Sequence, residues 1–420
     1  MLRRKMFRRT LPVLCGSALI AALAAMSLAQ TASPATSSPT PAAKTPRITG
    51  TLDGPRSAVF STPQDSCSPN DIPDAMARAF RDYTGTIHFV AASSEMFASL
   101  GPTLDSLTHS CEAAHYSADD PNPADYNDAT WLDSFYTFDG MKIAALTHTE
   151  YHGWVHPGEC HTQNIFDCEY DSDTYHESND GGYHFTSLKA PKNFVAGVPF
   201  QYVIDNGAVG YSVDTNIVEF GGWYYAMATS DGNWPLNCTG VTPPHRCVVQ
   251  GGGAPIRTTN VFDPTSWRGW NGTDFSVAFV DPYLGPVSHP EQHVYTPISY
   301  MFAVTGLNIY QPDPTQSPIA VATLWDYWGH ELGPPGMYLT TSTDMVNWTK
   351  PTLVVTLADI LKNDPKGNWL YAYFSLIDPN APDLNFSIIG NNPYLYYVRL
   401  DNNGQDRVLF KQPLTLTMIQ

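Results

Sequence analysis

Apolar residues in this chain gather in short runs rather than at the three-to-four spacing of an amphipathic helix. Five such runs, at 87–91, 142–146, 223–227, 319–324 and 394–398, are rich in aromatic and aliphatic side chains and are bounded by Gly, Pro, Asn and Asp. That content and punctuation belong to strands. Helical periodicity is scarce, and 357–362 is the best short candidate. A second pattern is a tight acidic turn followed by an aromatic residue or Leu. It recurs at Asp105, Asp180, Asp263 and Asp344, spaced 75, 83 and 81 residues apart, with a degenerate fifth copy, Asp401-Asn402-Asn403-Gly404, 57 residues further on. A fixed repeat of strands and turns predicts an all-β fold, a five-bladed β-propeller with four-stranded antiparallel blades. This is one of the few ways an all-β chain of this length avoids exposed edges. Two stacked β-sandwiches form the competing architecture, but no Pro/Ser-rich linker divides 47–420.

The chain opens with Arg3, Arg4, Lys5, Arg8 and Arg9, an apolar run at 11–28 and the small-residue close Ser27-Leu28-Ala29. That reads as a signal peptide over 1–29. Leu14 before Cys15 argues against a lipoprotein cysteine, and no second apolar stretch is long enough to span a bilayer. Residues 30–46 are Thr, Ser, Pro and Ala, a disordered tether that cannot repay its ordering entropy. The single propeller domain is expected over 47–420. The formal net charge is −18, and cleaving a leader with five basic and no acidic residues makes the mature chain more acidic. Nucleic acid and anionic membranes are excluded as partners, since both demand a basic surface. A secreted or periplasmic monomer is expected.

Six cysteines follow the leader, an even number that implies disulfides in an oxidising compartment, with 15 possible connectivities. Proximity pairs Cys160 with Cys168 and Cys238 with Cys247, leaving Cys67 with Cys111. A zinc site is the weaker reading, because no pair has structural-zinc spacing.

In a propeller the innermost strands converge on the axis, so polar residues at their ends share one pocket. Blade one offers Asp74, Arg78 and Arg81, and blade two offers Asp133. The most informative string is His148-Thr149-Glu150-Tyr151-His152-Gly153, because a strand period of two puts His148, Glu150 and His152 on one face. Three ionisable groups together are costly to bury without purpose. They fit a general acid with tuning partners or ligands of a divalent cation, calcium in the central cavity being the candidate; the competing reading is a solvated edge. Blade three offers Tyr211, Asp214 and Asn216, and blade five offers Tyr373. Asp281-Pro282 and Asp378-Pro379 read equally well as turns. Glycoside hydrolysis needs two carboxyl groups flanking the bond, and sugar binding needs aromatic platforms; the chain has 10 Trp and 23 Tyr, many of which core packing accounts for.

Pro73-Asp74, Arg78-Ala79-Phe80, Leu100-Gly101-Pro102, Trp131-Leu132, Tyr136-Thr137-Phe138-Asp139-Gly140, the string 148–153, Thr215-Asn216-Ile217 and Ser266-Trp267-Arg268 carry a family likeness. Over most of 70–400 the chain resembles the five-bladed propeller glycoside-hydrolase superfamily of arabinanases, xylosidases and invertases, and more closely a related group of secreted bacterial proteins. The resemblance implies Asp74 as base or nucleophile, Asp133 or Asp214 as the residue tuning the acid, and Glu150 as the acid. Arg78, His148, His152, Tyr211, Asn216 and Tyr373 are then expected to bind substrate. The chain departs from the family pattern in that its Glu follows blade two, whereas the usual acid comes from blade three. The turn at Ser178 resembles the Asp-box of sialidases, which is structural. The expected function is a secreted glycoside hydrolase acting on a polysaccharide or oligosaccharide. The alternatives are a non-catalytic carbohydrate-binding propeller and a sialidase- or lyase-like enzyme in which Arg78, Arg81 or Arg257 meets an anionic sugar.

Overall fold

The computed structural model describes residues 45–91, 93–213, 215–230, 251–329, 331–362, 364, 370–401 and 406–419. The expected leader, residues 30–44 of the expected tether, Asp214 and the Cys238–Cys247 pair lie outside them. Five antiparallel sheets follow one another along the chain. Blade one is Arg78–Arg81, Ile87–Val90, Glu95–Gly101 and Thr108–Tyr116; blade two is Ala129–Thr137, Ile143–His152, Glu169–Ser178 and Thr186–Ser187. Blade three is Ser212–Val213, Trp223–Ser230, Gly252–Thr258 and Arg268–Gly269; blade four is Val304–Tyr310, Ile319–Asp326, Gly336–Ser342 and Thr352–Thr356. Blade five comprises Leu370–Ile377, Tyr394–Asp401 and Asp406–Ile419, and its fourth strand is Arg47–Leu52 from the start of the domain. That strand pairs antiparallel with the last one from Arg47↔Ile419 to Leu52↔Leu414, so hydrogen bonds between the two ends of the domain close the ring.

The five apolar runs are the second strands of the five blades, and their composition has a physical cause. Successive side chains point to opposite faces, and here both faces are buried. Leu395 and Tyr397 enter the cluster shared with blade four, while Tyr396 and Val398 enter that shared with blade one. Ala144 and Leu146 face blade three, and Ile143 and Ala145 face blade one. Tyr225 and Met227 face blade four, and Ala226 and Ala228 face blade two. A strand covered on both sides reads as a continuous apolar run instead of an alternating one. Five interblade cores result.

The aspartate turns at 105, 180, 263 and 344 each join the third strand of a blade to its fourth. Asp180 Oδ1 accepts the amides of Tyr183 and His184 at 3.1 Å each, and Asp344 Oδ1 those of Val346 and Asn347 at 3.0 and 2.7 Å. The fifth copy breaks the phase. Asp401 ends the second strand of blade five, because the fourth strand there comes from the other end of the domain and the equivalent turn would have to join the two ends. Cys67–Cys111 and Cys160–Cys168 are disulfide-bonded. The short helix is Leu357–Leu361, with Thr356 and Asp359 forming a capping box. Among the described residues no helix is long and apolar enough to cross a membrane.

The axis is filled by polar groups bonded to main chain. Arg78 is buried and donates to the carbonyls of Ala77, Asp133 (2.9 Å) and Thr305, tying blades one, two and four together. Asn216 Oδ1 accepts the Leu307 amide at 3.2 Å, and Asn308 donates to the Leu376 carbonyl. The connection 378–393, between the first two strands of blade five, seals the far end. Its Asn385 exchanges bonds of 2.8 and 3.0 Å with the Thr137 main chain, and its Leu384 carbonyl accepts the Arg81 amide. A cavity of only about 10 Å³ remains between Arg78 and Phe386. Asp378 accepts the amides of Asn380 and Gly390, so it acts as a turn residue, as does Asp281, which accepts the Tyr283 amide.

Arg78→Met keeps most of the volume but leaves buried carbonyls without their donor. It is expected to lower the unfolding free energy by about 3 kcal/mol, read as an earlier urea midpoint; an unchanged midpoint contradicts the clasp role.

Between blades one and two, the buried imidazoles of His115 and His176 meet edge to face at 4.7 Å, bonded to Thr130 and Thr147. Burial pushes His115 down to about 4, and burial together with His115 pushes His176 well below the ordinary 6.5. The unfolded chain therefore takes up protons at a higher pH than the fold does. Stability is whole above pH 6.5 and falls as pH drops through the window from 6.5 to 4, by up to about 1.4 kcal/mol per pH unit for each histidine. His115→Gln should flatten that slope in acid-melting experiments.

Candidate active site at the axial mouth

One bond at the axis joins two strand starts: Arg78 opens its innermost strand and reaches Thr305, the second residue of another. The innermost strands therefore begin at one common end, and the same end receives Asp74, Glu150 and Tyr373. Asp74 precedes the first innermost strand and is 21 % exposed. Its Oδ1 accepts the Tyr373 hydroxyl at 2.8 Å and pairs with the Arg407 guanidinium, which also bonds the Pro73 carbonyl. Tyr373 lies in a strand irregularity between Ala372 and Ser375, with a left-handed φ of 60°. A non-glycine residue held there stores about 1–3 kcal/mol of strain, a feature that concentrates at working sites. Burial and the charges of Asp74 and Glu150 raise the Tyr373 hydroxyl well above its ordinary value, so it stays protonated as a donor.

Glu150 lies two residues before the end of the second strand of blade two, opposite Ala129 on the inner side and Asp171 on the outer. His152 Nε2 lies 2.6 Å from its Oε2 and His148 Nε2 lies 3.5 Å from its Oε1. Burial raises the Glu150 pKa, but the His152 hydrogen bond and the two imidazoles outweigh it and hold the carboxyl below its ordinary range. The ring of His152 stacks on Trp154 at 4.1 Å and lies 6.0 Å from Trp131, which also flanks His148 at 5.9 Å.

The third strand supplies what the sequence reading missed. Glu169, Asp171 and Asp173 stand opposite His152, Glu150 and His148 in register, an acidic ladder facing a histidine-rich one. Acids at every second position of 169–173 were the available signal. Arg407 gave none, since it lies far along the chain from Asp74.

The remaining expected residues have other surroundings. Arg78 and Asn216 bond main chain at the axis, and Asp133 is buried with its carbonyl on Arg78. Tyr211 is fully buried against Tyr295 at 4.6 Å and Phe279 at 5.9 Å. The three arginines of the anionic-sugar alternative are held in three places. Arg78 is at the axis, Arg81 lies over Phe386 at 4.7 Å, and Arg257 is clamped between Trp223 at 3.8 Å and Phe275 at 4.1 Å.

No protein-family model matches this chain, and no curated protein does. Solved structures similar to it include the GH43_1 enzyme from Xanthomonas citri complexed with xylose, at 10 % identity over 85 % of this chain and 90 % of that one, TM-score 0.42. The α-L-arabinanase of Cellvibrio cellulosa shows 9 % identity over 81 % and 90 %, TM-score 0.41. The exo-β-1,3-galactanase of Phanerochaete chrysosporium with galactose shows 9 % over 86 % and 64 %, TM-score 0.41. At these values the likeness bears on neither substrate nor mechanism.

Among the described residues, the groups whose ligating atoms converge closely enough for a metal are Cys67, Asp71, His109 and Cys160, Cys168, Asp205. Their sulfurs are in disulfides, not thiolates, which removes the zinc reading there. Around Glu150 two of the nearest donors are imidazole nitrogens already directed at its carboxylate. Calcium takes about six to eight oxygens, so this set does not fit it. A groove of about 1150 Å³ runs between the outer strands of blades one and two, lined by Tyr116, His184 and Lys189 among others, and holds none of the expected site residues.

Proposed function

We propose that this protein is a carbohydrate-active propeller, a glycoside hydrolase that cleaves a neutral polysaccharide or oligosaccharide between Asp74 and Glu150. The observation that carries the reading is that two partly exposed carboxylates from different blades, Asp74 and Glu150, lie at the same end of the axis, with the Tyr373 hydroxyl donating to Asp74. Asp74 is oriented through one oxygen by Arg407 and Tyr373, and acts as base or nucleophile. Glu150 supplies the acid function together with His152. Their 2.6 Å contact holds a proton between carboxylate and imidazole. A Glu150 carboxyl held below its ordinary range does not keep that proton by itself at neutral pH. Trp131 and Trp154 offer apolar faces beside the pair. Export to an oxidising compartment is supported by the two disulfides.

Both carboxylates also have cationic and hydrogen-bonding neighbours, Arg407 and Tyr373 on Asp74 and two imidazoles beside Glu150, which favours a second reading, a binding propeller without turnover. A screen of the purified protein against aryl glycosides and polysaccharides separates the two. The hydrolase reading expects turnover that Asp74→Asn and Glu150→Gln each reduce at least about a hundredfold with melting temperature retained; retention of a polysaccharide without any turnover selects the binding reading.

Because the acid function needs the shared proton, it depends on the ring of His152 as well as on Glu150. His152→Gln should lower kcat by at least about tenfold while leaving KM and melting temperature little changed; an unchanged kcat places the acid elsewhere.

A further inference from the structure

We propose that Trp328 is an outer stacking platform for a saccharide unit, so that the substrate is an extended chain running from the axial mouth over blade four. This deepens the carbohydrate reading and rests on it. Trp328 is 68 % exposed, an unusual state for the largest apolar side chain. Its place in the fold follows from register. Val304 pairs with Leu324 and Asp326 with Gly336, so the segment leaving Asp326 emerges beside the start of the innermost strand, at the end that carries Asp74 and Tyr373.

The segment is anchored. Asp326 accepts the amides of Gly329 at 2.8 Å, Leu332 at 2.9 Å and Glu331 at 3.2 Å, and the Tyr338 hydroxyl donates to the Pro334 carbonyl at 2.6 Å. Tyr327 stands perpendicular to the indole with centroids 4.6 Å apart, bracing one side of it. Trp325 stacks on Phe374 at 3.9 Å and donates to the Tyr371 carbonyl at 3.0 Å, on the strand that carries Tyr373. Blade four's exposed indole is thereby fixed to the element that presents the phenol to Asp74. A rigid aromatic face loses little entropy on binding. Its flat apolar surface suits the C–H face of a sugar ring, whose hydroxyls remain in water at the rim. Trp131 and Trp154 on blade two and Trp328 on blade four then flank the mouth from two sides, which a chain of several units engages and a monosaccharide does not.

The test is affinity electrophoresis of the full-length protein through gels containing arabinan, xylan or galactan, which reads binding without turnover. Trp328→Ala is expected to weaken retardation by about tenfold in Kd, Trp328→Phe to recover most of it, and Tyr83→Ala to change nothing. Tyr83 is 55 % exposed but sits in the turn between the first two strands of blade one, at the opposite end. Equal retardation of wild type and Trp328→Ala overturns the platform and leaves the axial site standing. A wild type that none of the three polymers retards overturns the carbohydrate reading and the platform together.

Discussion

The constraint on which the structure depends is that every blade is apolar on both faces. A sheet of this kind is stable only between two others, so a row of such sheets has two unsatisfied ends unless it closes on itself. Closure is achieved by main-chain pairing of Arg47–Leu52 with the last strand, which completes blade five with a strand from the opposite end of the domain. The ring then needs no polar rim on any blade face, and polarity is confined to the axis and to the loops at the two ends.

That confinement makes a site. At one end the axis is shut by 378–393, and above that plug it is clasped by Arg78, whose guanidinium bonds carbonyls of three blades. At the other end the strand starts bring Asp74, Tyr373, Arg407 and Glu150 together from three blades. These side chains are partly exposed on one side and rigidly backed on the other, the condition under which charges keep fixed positions.

Much of the fold was legible because its causes are local. The second strands announced themselves as unbroken apolar runs, the aspartate turns as a repeat, and two disulfides as short or residual pairings. The fifth turn misled because blade five borrows its outer strand, a non-local fact that leaves its phase shifted at Asp401. In the site, His148, Glu150 and His152 were visible as alternation on one strand. Their acidic counterparts at 169, 171 and 173 become meaningful only through cross-strand register. Arg78 and Asn216 were expected at substrate because polar residues near an axis point there; the narrow axis instead directs them to main chain. Arg407 could not be paired with Asp74 from sequence at all.

On the proposed reading Asp74 and Glu150 face one another across a single sugar-binding mouth. A crystal structure of the Glu150→Gln protein soaked with the oligosaccharide that the wild type retains tests it most directly. The expected result is a sugar ring seated between Asp74 and residue 150 and within hydrogen-bond reach of both. Density for the sugar only in the groove between the outer strands of blades one and two would contradict it.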